Sequence, residues 1–210
     1  MHNLFKAFCA GSLMTATGAV LAASTADLKV AGTIIPAACT PVFSGGGTVD
    51  FGKISAKDLS PTKLTALPRK FFTWTISCSA PTRIALSFKD NRPLLISSFD
   101  FNPTNKPLGQ NIGIYYLYQE RQETLADGVA VDTIASSDSG AVWNKPTSAL
   151  IHRDANWLFS FANKDTLTPT AFKNLSGKIR LDMEVRKTND LDITKEIPID
   201  GLATMTVTYL

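Results

Sequence analysis

The stretch GKIRLDMEVRK, residues 177–187, alternates without a break. Ile179, Leu181, Met183 and Val185 are apolar, and Lys178, Arg180, Asp182, Glu184 and Arg186 between them are charged. Successive side chains of a strand point to opposite faces, so a strand here carries one apolar face and one charged face. A helix would spread the same mixture around its whole circumference. The stretch therefore predicts a strand laid over a core with its back in water.

The same period recurs along the chain. FFTWTISC (71–78) aligns Phe72, Trp74, Ile76 and Cys78, and RIALSF (83–88) aligns Ile84, Leu86 and Phe88. NIGIYYLY (111–118) aligns Ile112, Ile114, Tyr116 and Tyr118, NWLFSF (156–161) aligns Trp157, Phe159 and Phe161, and VDFGKI (49–54) pairs Val49 with Phe51. In GLATMTVTYL (201–210), Ala203, Met205, Val207 and Tyr209 alternate with threonines at 204, 206 and 208. Breakers separate these runs: SGGG at 44–47, SAP at 79–81, DNRP at 90–93, SSDSG at 136–140 and NKP at 144–146. No long stretch carries a helical apolar stripe. Short alternating strands punctuated by Gly, Pro and Asn predict an all-β fold, an antiparallel β-sandwich in one domain. The segment from Asn91 to Asn111 is poor in core residues and reads as a surface excursion.

The chain has 210 residues, 44% hydrophobic and 19% charged, with a formal net charge of +3. A charge this small, with no basic run, gives no sign of a nucleic-acid partner. The first residues, MHNLFKAFCAGSLMTATGAVLAASTADLKV, place one cation, Lys6, before an apolar stretch from Ala7 to Ala23 and then small residues. That layout predicts a secretory signal peptide over 1–22, and cleavage after Ala22 or after Ala26 satisfies the small-residue rule equally. The competing reading is a membrane anchor, but the stretch is shorter than the roughly 20 residues a bilayer needs and is rich in Thr, Ser and Gly. Cys9 falls inside the leader and is expected to be discarded with it.

Export leaves Cys39 and Cys78. Two cysteines in an oxidising compartment predict one disulfide, whose loop would constrain the unfolded chain by about 3–4 kcal/mol. A redox pair is the alternative, and no C-x-x-C spacing supports it. A metal site would need histidines, and only His152 remains after the leader. His152 is flanked by Arg153 and Asp154, yet neighbours on a strand point to opposite faces, and no G-x-S-x-G motif supplies a nucleophile. The acids of VDTIASSDSG (131–140) miss the calcium-loop spacing. No catalytic residue, metal or cofactor is expected, and the chain does not read as an enzyme. Tyr115, Tyr116, Tyr118, Trp143 and Trp157 could line a sugar-binding surface, although aromatics at alternate strand positions are more often core or cross-strand pairs.

Three features taken together carry a family resemblance: LKVAGTIIPAACTP (28–41), the cysteine of FTWTISC (72–78), and a C-terminal strand with tyrosine next to last. The chain resembles the subunits of chaperone–usher fimbriae, most closely the probable major subunits of beta-fimbriae of proteobacteria. The resemblance implies an immunoglobulin-like sandwich lacking its last strand, with Cys39 on the first strand bridged to Cys78 on the second. It also implies partners. A periplasmic chaperone would lend a strand to the open groove, and at the outer-membrane usher the N-terminal extension of a neighbouring subunit would replace it. On this reading residues 23–31 form the extension, with Leu28 and Val30 as donor side chains, and 32–210 form the sandwich. The pairing edge would be Gly201, Ala203, Met205, Val207 and Tyr209, and the protein would pass through the periplasm to a cell-surface fimbria as a homopolymer. Two alternatives stay open: a free-standing periplasmic or secreted sandwich, and an adhesin or tip-binding module.

Overall fold

The computed structural model describes residues 29–31, 38–92, 104–105 and 110–210. The expected signal peptide, Leu28 and most of the 91–111 segment lie outside the described residues. The chain separates into two units, Met1–Ile35 and Pro36–Leu210. Of the first, only Lys29, Val30 and Ala31 are described. The account below is of the second.

The described residues form thirteen strands and no α-helix. In chain order these are β1 (Cys39–Phe43), β2 (Thr65–Ala66), β3 (Lys70–Thr82), β4 (Ile84–Asp90), β5 (Thr104–Asn105), β6 (Gln110–Asn111) and β7 (Gly113–Gln119). They continue with β8 (Leu125–Ala126), β9 (Val129–Ala130), β10 (Asp132–Ser136), β11 (Leu158–Ala162), β12 (Phe172–Val185) and β13 (Ala203–Tyr209). Every pairing is antiparallel, and the two main sheets make the sandwich the sequence predicts.

The first sheet is built around β12. Ile179 pairs with Phe72 of β3 on one side and Gln119 of β7 on the other. Further along, Glu184 sits between Ala66 of β2 and Ile114 of β7. β1 adds to the outer side of β3, and the β8–β9 hairpin lies beside the start of β12. The GKIRLDMEVRK reading holds: Ile179, Leu181, Met183 and Val185 are buried, while the charged residues between them are only partly covered.

The second sheet runs β10-β11-β4-β13. Its two central strands, β4 and β11, are buried on nearly every residue rather than on alternate ones, because they have a neighbour on each side and both faces covered. Trp74 of β3 and Phe161 of β11 join the sheets, with ring centroids 5.6 Å apart. Space for the indole comes from β12: a Cβ on Gly177 would lie 2.5 Å from the Trp74 ring.

Two strand expectations need correction. In β7 the buried set is Tyr115, Leu117 and Gln119, while Ile114, Tyr116 and Tyr118 face the partly exposed side. Both alternating sets there are apolar or aromatic, so the period alone leaves the face undetermined. Pairing with β12 sets it, because Leu181 and Met183, which point inward, stand opposite Leu117 and Tyr115. VDFGKI forms no strand. Asp50 accepts a 2.7 Å hydrogen bond from the Gly52 amide, and Gly52 has φ +67°, which turns the chain. Val49 and Phe51 still pack on the core from this loop.

Candidate strand-exchange edge

Cys39 and Cys78 stand directly opposite each other on β1 and β3, and their sulfurs are bonded at 2.05 Å. The bridge pins the start of β1 to the first sheet. β1 has β3 on one side and no strand on the other among the described residues. β13 is likewise an edge, paired to β4 from Ala203↔Asp90 to Tyr209↔Ile84 and to no other described strand.

Burial falls off sharply toward both edges. On β4, Ile84, Leu86 and Phe88 are almost wholly buried, whereas Met205 and Val207, their neighbours on β13, are only half-buried, as is Ala203. The first sheet repeats this. Trp74 and Cys78 of β3 are buried, and their β1 partners Phe43 and Cys39 are half-buried. Core-facing side chains on both edges thus remain partly open to water, next to backbone that no described strand pairs.

The two edges meet at one end, where the Tyr209 hydroxyl accepts a 2.9 Å hydrogen bond from the Cys39 amide. The Leu210 amide donates to the Arg83 carbonyl beside it. At the other end β13 is clamped to the close of β4. The Asn91 amide donates to the Leu202 carbonyl, Asn91 Nδ2 donates to Thr204 Oγ1, and the Arg92 guanidinium pairs with Asp200 at 3.2 Å. Below this clamp lie Asp90 and Arg153, 3.7 Å apart and both nearly excluded from water. Burial, and then the charge of Asp90, push the Tyr115 phenol well above its ordinary range, with Arg92 opposing. β13 is therefore fixed at both ends, while no described strand pairs with its outer edge.

Protein GltF of Escherichia coli (strain K12) is 30% identical to this chain, over 97% of the chain and 96% of GltF. The chain belongs to the family of GltF. A second relative, uncharacterized protein YhcF of the same organism, is 27% identical across 100% of both proteins. The family model described as "Protein of unknown function (DUF1120)" matches residues 28–115. Among solved structures, the P pilus rod subunit PapA aligns with 82% of this chain and 99% of its own, at 12% identity and a TM-score of 0.36.

In this member of the GltF family the expected edge residues have distinct settings. Ala203, Met205 and Val207 pack on the core; Tyr209 is 51% exposed and reaches across to Cys39. Gly201 precedes the strand, and a Cβ there would lie 2.9 Å from the Tyr115 ring. Of the donor residues, Val30 is exposed and Leu28 lies outside the described residues.

The aromatics separate. Tyr115 is core. Tyr118 has the Arg180 guanidinium over its ring at 4.1 Å, and Trp157 is stacked by His152 at 3.6 Å and 8°. Each of those two rings has one face taken by the protein's own side chain. His152 is half-buried against Trp157 in the segment before β11, and burial lowers its pKa from the ordinary value, with Asp154 opposing. No group of three or more His, Cys, Asp or Glu suited to a metal occurs among the described residues. No helix there is long and apolar enough to cross a membrane.

One useful signal was missed in the sequence. Asp127-Gly128 makes the two-residue turn between β8 and β9, both with positive φ, a pairing that marks tight hairpins. The Asp127 carboxylate also accepts the backbone amides of Lys173 and Asn174, at the register shift in β12.

Proposed function

We propose that this protein is a structural subunit of a chaperone–usher-assembled fimbria, of the beta-fimbrial kind, that polymerises by donor-strand exchange. The observation that carries the reading is the seam between β1 and β13. Each strand is the edge of its sheet, each presents half-buried core residues, and each is anchored, β1 by the disulfide and β13 at both ends. A strand from another molecule would pair with the free backbone of β13 and cover Ala203, Met205 and Val207. Each donor side chain fully buried there would contribute about 1.5–3 kcal/mol, and each backbone hydrogen bond about 1 kcal/mol net. Residues 23–31 would be the donor toward the next subunit, with Leu28 and Val30 entering the seam. The chaperone would hold the same edge in the periplasm, and the usher would direct the exchange.

The bond between Tyr209 and Cys39 favours a second reading, a free-standing exported sandwich, since it joins the two edges without help from a partner. Purifying the tagged chain from periplasm separates the two. The fimbrial reading expects a chaperone-sized protein to co-purify and to be released by a peptide spanning residues 23–30. A chaperone-free monomer with one cooperative, high-temperature melt would refute it and support the second reading.

A further inference from the structure

At the end of the first sheet away from the Tyr209–Cys39 link, β2 and β7 flank the last residues of β12 and leave a cleft of about 400 Å³. Its lining includes Lys63, Leu64, Ile114, Arg186, Lys187 and Asp190. The walls are tied by backbone hydrogen bonds, from the Thr188 amide to the Ser60 carbonyl and from the Arg186 amide to the Ile112 carbonyl. Ser60 Oγ accepts the Lys63 amide and so holds the rim. The cleft is thus a built feature of the fold, and its volume suits a small molecule.

Charge in the cleft is unbalanced, with three cations against one carboxylate. Asp190 already binds Arg186 at 2.9 Å and Lys187 at 3.5 Å, contacts that hold its carboxyl below the ordinary range, the Arg186 bond most of all. One Arg186 nitrogen serves Asp190, which leaves the rest of a five-donor fork available. The Lys63 ammonium has no partner among the described residues. Between these cations Leu64 is 52% exposed, an apolar side chain that a wholly ionic site would not need.

We propose that this cleft binds a small organic anion, a carboxylate on an apolar body. Lys63 and Arg186 hold the carboxylate by charge-assisted hydrogen bonds, and Leu64 and Ile114 cover the body. The site lies on the first sheet, apart from the β13 edge, so it stands or falls separately from the fimbrial reading.

The test is an NMR titration of the isotope-labelled protein, purified from periplasm together with any chaperone that accompanies it, with hexanoate, hexanamide and inorganic phosphate in parallel. Saturable shifts of the Ile114 and Arg186 amides with hexanoate, absent with hexanamide and weaker with phosphate, are expected. Lys63→Gln should weaken hexanoate binding about tenfold, the loss of one charge-assisted contact, and Leu64→Ser should weaken hexanoate but not phosphate. Both residues are exposed, so both variants should keep the wild-type spectrum elsewhere. Equal binding of hexanamide would overturn the ionic half of the proposal. Phosphate binding as tightly as hexanoate, with no effect of Leu64→Ser, would show a bare cationic spot and overturn the apolar half. Absence of shifts with all three would overturn it entirely.

Discussion

The Tyr209 hydroxyl accepts the backbone amide of Cys39 at 2.9 Å, across 170 residues of sequence. Tyr209 closes the edge strand of one sheet and Cys39 opens the edge strand of the other. One side-chain bond therefore joins edges that no backbone ladder connects among the described residues. Tyr209→Phe keeps the ring and removes this link alone. Because the bond is exposed, water can replace it, and a loss of about 0.5–1 kcal/mol is expected. Denaturant unfolding of wild type and variant, by shift in midpoint at constant slope, measures it.

The fimbrial reading makes a sharper demand on β13, because its two faces should respond oppositely to charge. Met205 is half-buried against the core and would be covered by an incoming strand; Thr206 faces solvent. Met205→Asp should abolish chaperone capture, since a carboxylate buried in the seam without a partner is costly. Thr206→Asp should leave capture within about threefold of wild type. Co-purification from periplasm checks both, and equal capture of the two variants would contradict the placement of the exchanged strand.

Loss of the disulfide should act chiefly on the unfolded chain. Cys39→Ser should cost about 3–4 kcal/mol in the chain-entropy picture and lower the yield of folded protein. Cys39→Ser/Cys78→Ser should match the single variant, because the bridge is already gone in it. An unchanged yield in either would show that the β1–β3 ladder suffices without the bridge.

How far the sequence could be read depended on contrast between alternate positions. GKIRLDMEVRK sets apolar against charged residues, and FFTWTISC sets large apolar residues against Thr and Ser, so both faces were legible. NIGIYYLY has no such contrast, and only the partners of Tyr115 and Leu117 across β12 decide which side faces in. VDFGKI alternates but turns, because the Asp50–Gly52 contact outweighs the period. The edge character of β1 and β13 could not be read locally at all, since it depends on which strands fail to flank them. The family resemblance suggested it for β13 alone. The cleft was hidden for a related reason: Lys63 and Arg186 are far apart in sequence, and the ladder between β2 and β12 brings them to one site.

The β8–β9 turn supplies a prediction in pH. Hydrogen bonds from the Asn174 amide and then the Lys173 amide hold the Asp127 carboxyl below its ordinary value of 3.8. The folded state thus favours the carboxylate. Its contribution is complete above the ordinary aspartate value and is lost as pH falls through the lowered one. Asp127→Asn is the matched variant, since asparagine also tolerates the left-handed backbone (φ 49°) found here. The Tm of wild type should exceed that of Asp127→Asn at about pH 6, and the gap should shrink as the solution is taken below the ordinary aspartate value. Asp132 and Asp138 are lowered by contacts of their own and remain in both proteins, so they cancel in the difference. A gap that stays constant through acid would assign the role of Asp127 to the shape of the turn rather than to its charge.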